Sequence, residues 1–216
     1  MDRRMIVVPI AILLLTIWGA ALAADCGEPV PAPKFQVGEK WTWRNGKGVE
    51  STDEVVQVEG DFIQIKWSNG DLASYDKDRI LRKVVRKSGE VITQQGAGAY
   101  TTVGQKVLDF PLQVGKKWDY TYTAQPSSGL GTFQTYYQQY KIVACEDVTT
   151  PAGRFPAFKV EVVQGVNRSP SHNYPNNGTF YSWYAPPVKT SVRRQYVPSL
   201  WWSNPVDNEL IKFEVK

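Results

Sequence analysis

Beyond residue 35, apolar and polar positions alternate with a period of two over most of the chain, and no segment carries a convincing helical period. Phe62-Ile63-Gln64-Ile65-Lys66-Trp67 sets polar Gln64 and Lys66 between apolar Ile63, Ile65 and Trp67, the pattern of a half-buried strand. Asn69-Gly70 follows, a strong hairpin signal, and 72–75 supplies the return strand. Segments 80–85 and 90–93 flank Ser88-Gly89 as a second hairpin. Trp118-Asp119-Tyr120-Thr121-Tyr122-Thr123 alternates aromatic with polar residues, and 132–144 is long, β-rich and patterned in Gln and Tyr. Further strands are predicted at 158–166, 179–184, 190–196 and 209–215, with Gly and Pro in the gaps. So many short strands imply an all-β fold, an antiparallel meander closed or half closed into a barrel.

One stretch repeats. Gln36-Val37-Gly38-Glu39-Lys40-Trp41-Thr42-Trp43 returns as Gln113-Val114-Gly115-Lys116-Lys117-Trp118-Asp119-Tyr120, a turn glycine, two charges and a strand with aromatics at i and i+2. The echo predicts two similar β-meanders in one sheet, about 35–95 and 110–216, with Trp41 and Trp118 in equivalent places.

The first residues read differently. Arg3 and Arg4 precede an apolar run over 6–18, and Ala21-Leu22-Ala23 has the small-x-small pattern of a signal-peptidase site. Residues 1–23 are therefore expected to be a cleaved signal peptide and 24–216 a single exported β-domain, periplasmic or secreted. Asp25 rather than a small residue precedes Cys26, so a lipoprotein is not expected. No later run is apolar enough to be read as a membrane-spanning helix. Composition sharpens this. The 216 residues carry 25 Lys+Arg against 21 Asp+Glu, too even a balance and without a basic run, so nucleic acid is not an expected partner. One histidine and two cysteines argue against a zinc site or a His-dependent triad, and no metal or cofactor is expected. In an oxidising compartment Cys26 and Cys145 are expected to pair with each other. In the chain-entropy account, closing so long a loop stabilises by about 4–5 kcal/mol.

Three motifs carry a resemblance. Pro111-Leu112-Gln113-Val114-Gly115 through Trp118-Asp119-Tyr120, then Val148-Thr149-Thr150-Pro151-Ala152-Gly153-Arg154-Phe155, then Trp183-Tyr184-Ala185-Pro186 with Val192-Arg193-Arg194, occur in that order. Together they resemble an exported bacterial β-rich family of unknown function, labelled domain-of-unknown-function or TapB-like, over 110–216. The resemblance implies an envelope protein with a barrel-like fold and assigns no catalytic residues. Lys189 stands where the family's motif has glycine, which puts the turn after Val188 in question.

Most motifs have structural readings. Pro151-Ala152-Gly153 fits a tight turn with Phe155 re-entering the core, and Pro186-Pro187 ends a strand because proline cannot donate to a ladder. Asp76-Lys77-Asp78 reads as a charged turn rather than a calcium site. Glu146 and Asp147 point opposite ways in a strand and do not make a dyad. Of the eight tryptophans, Trp41, Trp43 and Trp118 are expected to fill the core. Trp201-Trp202, between Pro198 and Pro205, has loop composition, and an exposed aromatic pair marks a contact surface. With Tyr184 these two are the expected ligand- or partner-binding residues. The function expected is that of a non-enzymatic exported envelope protein: a barrel-type binding or carrier module for an amphipathic or apolar small molecule. The alternative is an accessory protein that docks onto an envelope partner through its aromatic loop or a sheet edge.

Overall fold

The computed structural model describes residues 26–93, 103–124, 134–167, 178–197 and 207–216. Residues 1–23, the expected signal peptide, and Trp201-Trp202 lie outside these residues. The chain forms twelve strands: β1 Lys40–Asn45, β2 Glu50–Glu59, β3 Phe62–Lys66, β4 Leu72–Tyr75, β5 Leu81–Val85, β6 Val91–Ile92, β7 Lys117–Ala124, β8 Gln134–Thr150, β9 Gly153–Asn167, β10 Gly178–Ala185, β11 Thr190–Tyr196 and β12 Asn208–Glu214. They make one antiparallel sheet in the order β6-β5-β4-β3-β2-β1-β12-β11-β10-β9-β8-β7. The six strands before residue 95 run outward from the middle, and the six after residue 110 run back in. The two meanders meet where β1 pairs with β12, Trp41 opposite Phe213.

The repeated sequence folds alike in both places. Gly38 and Gly115 take φ of 89° and 92°, a region glycine enters without steric cost. Gly38 N–H donates to Val55 O, and Val55 N–H donates back to Glu39 O. In the second copy Gly115 N–H donates to Ile142 O and Ile142 N–H to Lys116 O. Each copy therefore fixes the start of its strand against the next one. Trp41 and Trp118 follow, 2% and 9% exposed.

The closed-barrel alternative is not what forms. Among the described residues β6 and β7 do not pair with each other. β6 offers only Val91–Ile92 to the eight residues of β7, so a ladder across the gap has little to build on. The segment 103–112 lies between the two ends instead. Gly104 N–H donates to Leu81 O of β5. From the other end Trp118 Nε1 donates to Lys106 O at 2.9 Å and Tyr120 Oη to Val103 O at 3.3 Å. This strap bridges both margins of a half-closed sheet, and Val103, Leu108 and Leu112 are buried beneath it. Leu112 also pairs with Val30, and the Cys26–Cys145 disulfide ties the N-terminal segment to β8 across 119 residues of sequence.

The turn questioned at Lys189 keeps the conformation a glycine would take. A 3-10 turn, Pro186–Val188, ends β10, and Lys189 follows at φ 59°, ψ 17°. Its ammonium group donates to Glu39 Oε1, and the Glu39 side chain is fully buried. Lys216 N–H donates to the same oxygen at 3.1 Å. The strained backbone of Lys189 is thus coupled to a charge that answers a buried carboxylate.

Candidate functional site

The face of the sheet under the strap is not filled. A cavity of about 360 Å³ remains there, with Trp41, Trp43, Ser51, Asp53, Trp67, Tyr75, Arg79, Tyr184 and Arg194 in its wall. A smaller one, about 210 Å³, adjoins the Gln138, Tyr140 and Phe180 side chains. Val107, Leu108 and Arg194 line both.

Strand register explains the assembly. In β1 and β2, Trp41 lies opposite Asp53 and Trp43 opposite Ser51. Alternation therefore puts two indoles, a hydroxyl and a carboxyl on the same face. Trp41 Nε1 donates to Val188 O at 2.7 Å and Trp43 Nε1 to Ser191 O at 3.1 Å. Both indole donors are spent on backbone, so the rings meet the cavity with their carbon surface. These two residues were expected in the core alone. Trp41 does belong to it, and both rings also form the cavity wall.

Arg79 arrives by a different device. The Asp76 carboxylate accepts from the N–H groups of Asp78 and Ile80 at 3.0 and 2.9 Å and pairs with Arg82 at 2.7 Å. That Asx-type turn carries the chain through Arg79 at φ 62°. The Asp76-Lys77-Asp78 segment is therefore the tight turn read from its sequence, with Asp76 spent on holding it. The Arg79 guanidinium sits over the Phe35 ring, 4.6 Å from its centre, and over Tyr75 at 5.4 Å.

Charges in the cavity are perturbed by burial. The Asp53 carboxyl is pushed from 3.8 up to about 6: burial raises it, and the Ser68 backbone N–H and the Arg79 charge, both pulling down, do not cancel that. Burial likewise raises the Tyr75 hydroxyl against the pull of Arg79. Tyr184, only 1% exposed, has its hydroxyl pushed up to about 12 by burial, again opposed by Arg79. Its ring meets Phe110 of the strap edge-on at 5.7 Å.

Of the expected site residues, Tyr184 stands in the cavity wall, while Trp201 and Trp202 fall outside the described residues. The expected Cys26–Cys145 bond is present. Glu146 accepts from Trp183 Nε1 at 2.6 Å whereas Asp147 pairs with Arg154 at 2.7 Å, so the adjacent acids serve different partners. Sequence reasoning missed Asp53, Arg79 and Arg194 as cavity residues. The first two meet only through the pairing of β2, β3 and β4.

Three solved structures are similar to this chain over most of its length. YmcC, described as a hypothetical lipoprotein, from Escherichia coli (K12) aligns with a TM-score of 0.46 and 11% identity, covering 86% of this chain and 91% of that one. A lipoprotein candidate from Parabacteroides distasonis aligns at 0.41 and 16% identity, covering 87% of this chain and all (100%) of the other. An exported protein with a YmcC-like fold from Bacteroides fragilis gives the same values, 0.41, 16%, 87% and 100%. No family model matches the chain, and no curated protein matches it. The likeness to the exported family of unknown function therefore stands on its three motifs alone.

Proposed function

We propose that this is an exported envelope protein, not an enzyme, that holds a small amphipathic molecule in the cavity beneath the strap. The observation that carries this reading is the cavity itself, left open at the centre of a sheet whose neighbouring positions pack tightly. Its size is at the lower end of the range for small-molecule sites. Its wall combines three indoles with a few charged and hydroxyl groups, the mixture that seats an apolar body and orients a polar end. An unfilled cavity supports the carrier over a docking protein, which would need only a packed core and an exposed edge. The signal-like pattern over 1–23 supports export.

The test uses N-phenyl-1-naphthylamine, a neutral dye that fluoresces when shielded from water. The reading requires saturable binding at one site, quenching of tryptophan emission, and loss of both in Ser51→Phe, which fills the cavity opposite Trp43. Binding that is unsaturable, or unchanged in that variant, contradicts it.

A further inference from the structure

Among the described residues, Arg44, Arg82, Arg86 and Arg154 each have a carboxylate partner: Glu209, Asp76, Glu90 and Asp147. Arg79 and Arg194 have none among the described residues, and both line the larger cavity; Arg193, opposite Trp183 and Glu209, lies on the outer face with the Arg44–Glu209 pair. The two cavity arginines rest on rings instead: Arg79 on Phe35 and Tyr75, Arg194 over Phe180 at 5.4 Å. A guanidinium stacked on a ring keeps its in-plane N–H fork available for another partner. Arg79 Nη1 is moreover buried with no hydrogen-bond partner, a cost that proteins seldom carry without a use. Among the described residues Asp53 is the one carboxylate in the cavity wall, which therefore carries an excess of positive charge. The four paired arginines lie on the outside of the sheet; Arg79 and Arg194 share one hollow and have no carboxylate partner among the described residues.

We infer that the ligand of this cavity is an oxyanion on a flat ring-bearing body, its charge held by Arg79 and Arg194 and its ring set against Trp43 and Trp67. The inference rests on the carrier reading and adds the charge and shape of the cargo. The indole N–H groups of Trp41 and Trp43 are already committed, so those rings offer only carbon surface, while the guanidinium fork matches a carboxylate, sulfonate or phosphate. The oxyanion could belong to a free acid or to a lipid headgroup, and the flat aromatic wall favours the free acid.

The experiment compares two dyes of nearly one shape, 1-anilinonaphthalene-8-sulfonate and neutral N-phenyl-1-naphthylamine, on the full exported chain. The sulfonate is expected to bind about tenfold or more tightly than the neutral dye and to weaken as salt rises. Arg194→Gln, and Arg79→Gln where it folds, should each weaken the sulfonate by about tenfold to a hundredfold, whereas Arg193→Gln on the outer face should leave it within about twofold. The neutral dye should hold within about twofold, which also certifies the fold of each variant. Equal binding of the two dyes, with the Arg194 and Arg79 variants affecting neither, overturns the anion inference and leaves the carrier reading standing. Absence of both dyes from the wild-type cavity removes the carrier reading and the inference with it. Displacement of the sulfonate by phenyl phosphate at lower concentration than by a short-chain lysophosphatidate supports a free ring acid. The reverse order overturns the ring-bearing body.

Discussion

Replacing Asp53 by Asn tests the electrostatics of the cavity through stability alone. In the folded protein this carboxyl titrates near 6, against 3.8 when unperturbed. The folded state therefore prefers the protonated form. Its contribution to stability is fully present below about pH 3.8 and is lost as the pH climbs through 6. Such a displacement corresponds to about 3 kcal/mol, an upper figure because some water reaches the group. Asn mimics the protonated acid in size and neutrality but does not titrate. Urea unfolding of both proteins from pH 4 to pH 8 should then show the variant nearly equal to wild type at pH 4. At pH 8 it should be more stable, by about 2–3 kcal/mol, with the rise centred between the two pKa values. Titrations elsewhere cancel in the difference. A difference that is independent of pH, or that shrinks as pH rises, refutes burial as the dominant influence on Asp53. A carboxylate kept charged at such a cost is the kind of group that binding sites retain.

Other outcomes follow from the same geometry. Asp53 shares the cavity with Arg79 and its carboxyl, titrating near 6, gains negative charge between pH 5 and 8, so the sulfonate dye should bind more tightly at pH 5 than at pH 8, and Asp53→Asn should abolish the difference. Lys189→Met leaves the buried Glu39 carboxylate uncompensated and should cost about 3–5 kcal/mol in urea unfolding, recovered largely by adding Glu39→Met. Lys189→Gly should cost about 1 kcal/mol less than Lys189→Met, because glycine accepts the left-handed backbone without strain. Cys26→Ser with Cys145→Ser should lower stability by up to about 4–5 kcal/mol, read from denaturation of oxidised and variant proteins side by side.

Strands whose alternation separates a core face from a wet face were legible: β3, β7, β11 and β12 lie where the period of two puts them, and Asn69-Gly70 and Ser88-Gly89 do turn the chain. β2 was not legible, for a reason tied to the site. Its first half, Glu50-Ser51-Thr52-Asp53-Glu54, is polar on both faces because one face looks into the cavity and the other to solvent. A bulge between Val55 and Gln57 breaks the period again further on. The same compromise hid the cavity wall. Trp41 and Trp43 have the spacing of core residues, and nothing local distinguishes a ring packed on a neighbour from a ring lining a void. Arg194 reads as an ordinary basic strand residue, since the absence of its carboxylate partner among the described residues is a long-range fact. Tyr184 lies in a motif legible in the sequence, whereas Arg79 owes its position to the Asp76 turn and to Phe35, which are far apart in sequence.

Native mass spectrometry of the protein taken from its own envelope puts the central claim to its most direct test. The account predicts a non-covalent adduct of one small acidic molecule per chain, retained under gentle activation and absent from Ser51→Phe prepared in the same way. The bare polypeptide mass for wild type, or an adduct that survives unchanged in the filled variant, would contradict it.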